Sequence, residues 1–179
     1  MTVMNQFERV MMFIDGSNVF RSIQNFNHET GKNFRIDYLK LRDYLCNGRD
    51  FIRPYYYGSE DAESGPAYQG FLYKLKTAGF EVVSKPLRVY INPDGGEEKW
   101  EKGIDIALAT DFISLAWENG FDTAIIVSGD SDYIEAIKRV KQKGKRVEVV
   151  SFRNSMGNEM RTVGDKTTFL DDIVDKISL

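Results

Sequence analysis

Unbroken apolar runs alternate along the chain with segments whose apolar residues recur every three or four positions. The first run covers residues 10–14 (Val-Met-Met-Phe-Ile) and a later one covers residues 123–128. Runs of this length, without polar interruptions, are typical of central strands covered on both faces. We predict further strands over residues 51–57, 80–84 and 146–151. Helical spacing predicts a first helix that begins after Ser17-Asn18, which we take as its cap. It predicts further helices over residues 36–46, 68–78, 103–118 and 132–143.

This alternation predicts a three-layer α/β/α fold with a mostly parallel sheet of about five strands. Residues 89–91 and 97–102 flank the turn sequence Asn-Pro-Asp-Gly-Gly and predict a hairpin or protruding loop. Residues 153–164 and 169–177 predict short helical segments. No repeat or linker divides the chain, so we expect a single domain over residues 1–179.

The cysteine content and the length of the apolar runs indicate the compartment in which we expect the protein. The single cysteine, Cys46, excludes an intramolecular disulfide framework and indicates a reducing compartment. The first residues lack the pattern of a signal peptide, and no apolar run approaches the roughly 18 residues that span a bilayer. We therefore expect a cytoplasmic protein without membrane contact.

The charge balance limits how nucleic acid is bound. With 24 basic and 27 acidic residues the formal net charge is −3, so bulk attraction to a polyanion is weak and any contact must be local. A basic run over residues 138–146 is one candidate. We favour a solvated surface there, at the end of a helix whose dipole attracts cations.

Two predicted strands end in aspartates, Asp15 in Phe-Ile-Asp-Gly-Ser-Asn and Asp130 in Ser-Gly-Asp-Ser-Asp. Ligands of open parallel sheets lie beyond the carboxyl ends of the strands. If these strands are neighbours, the two carboxylates share a crevice and a cation between them stabilises the pair. Turn and cap chemistry explains Asp15, Asp130 or Asp132 singly, but not their recurrence at matching strand ends.

The helix predicted over residues 103–118 carries two more aspartates. Asp105 lies in its first turn, where a carboxylate also complements the helix dipole. Asp111 falls on the apolar stripe of the helix. Because an unpaired buried charge is costly, we predict that Asp111 is hydrogen-bonded, ion-paired or near a metal.

The available side chains favour hydrolysis by a water that a metal ion activates. Oxygen ligands without His or Cys favour magnesium or manganese over zinc. The only histidine, His28, lies in polar sequence, and no GxSxG nucleophile motif is present.

Three motifs in order, FIDGSN, KGIDIALATD and SGDSDY, resemble NYN domains, the LabA-like branch of the PIN-like nuclease superfamily. The resemblance covers residues 10–150 at least and implies a PIN-like, Rossmannoid α/β sheet with a Mg²⁺- or Mn²⁺-dependent acidic site that cuts RNA. It implies metal ligation by Asp15, Asp105 and Asp130. By position, the resemblance also implies that Asp132 is a further catalytic residue, as a metal ligand or through a water, and that Asp111 supports the ligands. Asn18 would orient a ligand or the substrate, and the implied substrate contacts include Ser128, Ser131 and Lys102. Tyr133 stands where the resemblance leads us to expect phenylalanine.

Other functions fit less well. A haloacid dehalogenase would need aspartate where Ser17 stands, and a von Willebrand-type metal site would need serine where Val19 stands. Neither GxxxxGK[ST] nor GxGxxG is present. The main alternative is a catalytically weak or inactive RNA-binding or protein-interaction module of the same fold. The motifs do not distinguish RNA from DNA, and they leave the number of metals and homodimer formation open.

Overall fold

Six parallel strands form the central sheet in a computed structural model, which describes residues 8–60, 65–100 and 103–179. In chain order they are β1 (Arg9–Asp15), β2 (Asp50–Glu60), β3 (Glu81–Pro86), β6 (Thr123–Val127), β7 (Arg146–Ser151) and β8 (Lys166–Phe169). Their order across the sheet is β3-β2-β1-β6-β7-β8. The remaining strands, β4 (Arg88–Ile91) and β5 (Glu97–Trp100), pair antiparallel as the predicted hairpin.

Helices cover both faces of this sheet and complete the predicted three layers. They are α1 (Gly16–Thr30), α2 (Tyr38–Cys46), α3 (Pro66–Thr77), α4 (Ile104–Trp117), α5 (Ile134–Gln142), α6 (Asn158–Val163) and α7 (Val174–Ile177). Buried residues of α1, α2, α3 and α7 share one core with one face of the sheet. Those of α4, α5 and α6 share a second core with the other face. In the part of the chain that is described, no helix combines the length and apolarity needed to cross a membrane.

The two strands that end in aspartate are neighbours. β1 pairs in parallel with β6, with Ile14 opposite Val127. On its other side β1 pairs with β2. The strands after β1 are therefore added on one side of it (β2, β3) and the later strands on the other side (β6, β7, β8), so the strand order reverses between β1 and β6. A crevice opens where strand order reverses in such sheets. The condition for a shared crevice, that the strands carrying Asp15 and preceding Asp130 are neighbours, is therefore met.

The end of the chain differs from expectation, because the sheet has a sixth main strand that the sequence did not indicate. Residues 166–169 read Lys-Thr-Thr-Phe and pair with β7 along one side only. An edge strand needs no unbroken apolar run, so its polar composition resembled a loop. The predicted final helical segment is shorter as a result, with a 3-10 turn at Leu170–Asp172 followed by α7.

Candidate metal centre

Asp15 links the end of β1 to the start of α1. Its carboxylate accepts hydrogen bonds from the Asn18 backbone N–H at 3.0 Å, the Ser128 hydroxyl at 3.2 Å and the Tyr133 hydroxyl at 3.1 Å. The residue is only 6% exposed. The predicted cap at Ser17-Asn18 is wrong by two residues, because the Asp15 carboxylate itself caps the helix by accepting from the Asn18 N–H.

Ser128 connects this carboxylate to the loop after β6. Its fully buried hydroxyl donates to Asp15 Oδ2 and accepts from the Asp130 backbone N–H at 3.2 Å. Asp130 in turn caps the following 3-10 turn, its Oδ1 accepting from the Asp132 N–H at 3.0 Å. The two acidic strand ends are thus held together by one hydroxyl. A substrate contact from Ser128 stays a prediction, and these bonds favour a positioning role.

Asn18 and two glycines bring the same loops into contact. Asn18 Oδ1 accepts from the Gly129 backbone N–H at 3.0 Å. A Cβ on Gly129 would lie 2.2 Å from the Ser155 carbonyl oxygen, and one on Gly16 would lie 2.4 Å from the Tyr56 ring. Both positions therefore need glycine for close backbone approach. Asn18 acts here as a brace between loops, while its predicted role toward substrate stays a prediction.

Asp105 approaches from the first turn of α4 and is exposed. The preceding Gly103 has φ +77°, and its carbonyl accepts from Lys85 Nζ at 2.7 Å. Asp15, Asp105 and Asp130 all line one open cavity of about 1170 Å³. The three aspartates proposed as metal ligands thus face a common space.

The Tyr133 hydroxyl lies beside the negative charge of Asp15. Burial, and then the negative charge of Asp15, raise the pKa of this phenol, and the charges of Asp130 and Asp105 act in the same direction. The hydroxyl therefore keeps its proton and donates a hydrogen bond to Asp15. The motif indicates only that an aromatic residue stands at position 133, so the bond from its hydroxyl to Asp15 was not predicted. The tyrosine in place of the expected phenylalanine was its one available signal.

Asp111 has the partner predicted for it. The Tyr57 hydroxyl donates to Asp111 Oδ2 at 2.8 Å, and burial followed by this bond raises the pKa of Tyr57. Tyr57 lies directly opposite Asp15 in the β1–β2 pairing. The bond ties α4 to the sheet beside the acidic strand end. Whether Asp111 supports metal ligands stays a prediction.

The other predicted residues lie at the margin of the site. Ser131 and Asp132 are exposed, and neither is among the described residues that line the cavity. Lys102 lies outside the described residues. Their roles in catalysis and substrate binding stay predictions.

The donor chemistry fits a hard divalent cation. The cavity offers carboxylate oxygens, and burial raises the pKa of the only thiol, Cys46, to about 12. Within residues 8–60, 65–100 and 103–179, no group of three or more His, Cys, Asp or Glu is ready to hold a metal ion. Mg²⁺ commonly keeps several waters and takes only one or two carboxylates plus substrate phosphates. The arrangement suits such partial ligation.

Comparison with known proteins identifies the family. The NYN domain model matches residues 9–171. The chain is 25% identical over 169 residues to the low amplitude and bright protein LabA of Synechococcus elongatus, covering 92% of this chain and 85% of that protein. It is 27% identical over 158 residues to the uncharacterized protein MJ0482 of Methanocaldococcus jannaschii, covering 88% of this chain. The match spans 53% of that protein, about half its length.

A solved structure shares the fold. The protein of unknown function VPA0982 from Vibrio parahaemolyticus superposes with a TM-score of 0.75 at 23% identity, covering 99% of this chain and 100% of that one. Together with the family match over residues 9–171, the motifs and the sheet lead to one conclusion. The chain belongs to the NYN domain family, within the PIN-like nuclease superfamily.

Proposed function

We propose that the protein is a metal-dependent ribonuclease that hydrolyses RNA phosphodiester bonds at the cavity lined by Asp15, Asp105 and Asp130. Membership of a nuclease superfamily makes nuclease activity the natural starting point. The observation that carries the proposal is the bridging of Asp15 and Asp130 by the Ser128 hydroxyl at the switch point of the sheet. This hydroxyl holds the Asp15 carboxylate and the Asp130 backbone together where open α/β sheets bind ligands.

In this proposal Asp15, Asp105 and Asp130 hold Mg²⁺ or Mn²⁺. When bound, the cation lowers the pKa of water and neutralises charge that develops on the phosphodiester. Asp15 is oriented by Tyr133 and Ser128 and needs no further movement to face the cavity.

Surrounding residues complete the proposed site. Asp132 is a further catalytic carboxylate. Ser131 and Lys102 contact the substrate, and Asp111 supports the ligands from α4 through its bond to Tyr57. We also propose a cytoplasmic location and one functional domain over residues 1–179. RNA is proposed as the substrate, with DNA as the comparison and a homodimer as one assembly to test.

The direct test is incubation with labelled single-stranded and structured RNAs, and with DNA of the same sequences, in Mg²⁺, Mn²⁺ or EDTA. We expect cleavage of RNA with either metal and none in EDTA. Asp130→Asn should reduce the rate by at least about 100-fold, since it removes charge where the phosphodiester reacts. Asp175→Asn, the same change at an exposed position of α7, should cleave like the unmodified protein.

The second candidate is an RNA-binding or protein-interaction module of the same fold. It is favoured by the net charge of −3 and by the lack of a ready three-ligand cluster among the described residues. Binding of RNA without cleavage at high protein concentration, with metal binding established separately, would support this candidate and contradict the nuclease.

A further inference from the structure

The cavity extends well beyond the three aspartates, along one face of α1. The α1 residues that line it recur at helical spacing: Gly16, Ser17, Phe20, Arg21, Ile23, Gln24 and Asn27. Positions spaced in this way lie on one side of a helix. At 1.5 Å per residue, the groove runs for about 18 Å from Asp15 to Asn27. We call this stretch the α1 groove.

The cavity that contains the α1 groove is acidic at the start of α1 and basic farther along. The only acidic residues that line it, among those described, are Asp15, Asp105 and Asp130. The cationic residues are Arg21, on α1, and Arg35, beyond its end. In the described part of the chain neither arginine forms an ion pair, and Arg21 makes only a long bond to the Ser17 carbonyl at 3.4 Å. Two free guanidinium groups beside a groove suit phosphate oxygens.

Phe20 lies next to Arg21 on α1, on the side of the aspartates, and is 60% exposed. It follows Asp15 by five residues, so its ring stands within the first two turns of α1. An exposed phenylalanine beside charged groups offers a flat apolar surface, of which the larger part faces solvent. Bases stack on such rings without regard to sequence.

The basic run of residues 138–146 is not among the described residues that line this cavity, and two of its lysines are already paired. Lys138 pairs with Glu135 and Glu159, and Lys141 pairs with Asp165. These pairs hold the end of α5 against its neighbours. The free cations of the described chain that share a cavity with the aspartates are therefore those of the α1 groove.

We propose that the α1 groove binds the flank of a single RNA strand, with one base stacked on Phe20 and phosphates on Arg21 and Arg35. This inference rests on the proposed function, because it places the scissile phosphate at the aspartates. About 18 Å accommodates roughly five nucleotides stacked 3.4 Å apart, and fewer if the strand is stretched.

The groove selects single strands over duplexes. In a duplex the faces of the bases are already stacked on one another, and only an end or a flipped base is free to meet an aromatic ring. A base of a single strand reaches Phe20 at little cost. The ligand is therefore unpaired RNA beside the cleavage position, not an RNA helix.

The test measures binding separately from cleavage. Fluorescence anisotropy follows a labelled single-stranded oligoribonucleotide added to the Asp130→Asn protein in Mg²⁺, which keeps the strand intact. On that background, Phe20→Ala should weaken binding about tenfold, the effect of losing one stacked base. Arg21→Gln and Arg35→Gln should each weaken it several-fold and make it less sensitive to salt.

The matched controls remove an aromatic ring and an arginine at exposed positions outside the α1 groove. Tyr73→Ala removes an aromatic ring that is 70% exposed on α3 and is not among the lining residues described. Arg139→Gln removes an exposed arginine of α5 whose hydrogen bond goes to Gln142. Both should bind within twofold of the parent protein. Phe20 is exposed, so its loss should leave the thermal unfolding midpoint unchanged.

Three results would overturn the proposal. These are tight binding that Phe20→Ala leaves unchanged, duplex RNA bound as tightly as the single strand, or no binding by the parent protein. Cleavage by the unmodified protein, assayed in parallel, keeps the two questions separate. Cleavage without dependence on Phe20 contradicts the α1 groove alone, whereas Phe20-dependent binding without cleavage contradicts the nuclease alone.

Discussion

A single hydroxyl separates Tyr133 from the phenylalanine that the motif resemblance leads us to expect. That hydroxyl donates to Asp15 from a position that is 2% exposed. Tyr133→Phe should lower the free energy of unfolding by about 1–2 kcal/mol, because a buried carboxylate loses one of its donors. The Ser128 and Asn18 donors remain, so RNA cleavage should be slowed and not abolished.

Urea unfolding, with Tyr73→Phe as control, measures this effect. The Tyr73 side chain is largely exposed on α3, and removal of its hydroxyl should leave the unfolding free energy unchanged. An unaltered unfolding free energy in Tyr133→Phe would show that its bond to Asp15 does not stabilise the fold.

A Cβ added at Gly129 would lie closer to a neighbouring atom than one added at any other described glycine. Gly129→Ala would place a methyl group 2.2 Å from the Ser155 carbonyl oxygen, so the loop must move. We expect a loss of about 1–3 kcal/mol in unfolding free energy. Gly157→Ala is the matched control, since nothing lies within 4 Å of that position. Equal melting temperatures for the two variants would contradict the close approach.

At the scale of elements, burial decided which strands were predictable. β1 and β6 are covered on both faces, and their unbroken apolar runs identified them. β8 lies at an edge and reads Lys-Thr-Thr-Phe, with a single apolar side chain in four residues, so no apolar run marked it. The cap of α1 lies two residues before the predicted Ser17-Asn18, because the Asp15 carboxylate that ends β1 also caps α1.

An ion pair at the start of β1 should make the free energy of unfolding depend on pH in acid. Arg9 donates to both Asp122 oxygens, and this bonding lowers the pKa of Asp122. A carboxyl whose pKa is lower in the folded protein stabilises it above its ordinary pKa of about 3.9. The contribution is lost as pH falls from there through the lowered value.

Asp122→Asn should therefore cost about 0.5–1 kcal/mol at pH 7, a modest amount because the side chain is 41% exposed. Its unfolding free energy should also fall less steeply below about pH 4 than that of the unmodified protein. Asp175→Asn, without an ion pair to a described residue, should keep the original acid profile. Parallel acid profiles for Asp122→Asn and the unmodified protein would refute this role.

At the scale of the whole molecule, the sequence contained the carboxylates but not the contacts that arrange them. Motifs at strand ends identified Asp15 and Asp130, since parallel strands share a carboxyl edge. The hydroxyls of Tyr133 and Tyr57 reach their aspartates across separations of 118 and 54 residues. Such pairings depend on sheet order and register, which no local pattern specifies.

The net charge of −3 predicts weak salt dependence of RNA binding. Each neutralised phosphate of a single strand contributes a slope of about −0.7 to the plot of log K against log salt concentration. Two groove arginines then give about −1.4, and a few further cations would roughly double this slope. Binding titrations across salt concentrations measure it. A slope steeper than about −5 would indicate a broad basic surface instead.

The central claim is that Asp15, Asp105 and Asp130 hold a divalent ion, and manganese in crystals tests it most directly. Anomalous scattering from crystals soaked in MnCl₂ should show a peak in the cavity, at coordination distance from carboxylate oxygens of Asp15 and Asp130. Asp105 should contact it directly or through water. In Asp15→Asn crystals the peak should weaken or vanish. Ordered crystals that cleave RNA in Mn²⁺ but show no peak there would contradict the account.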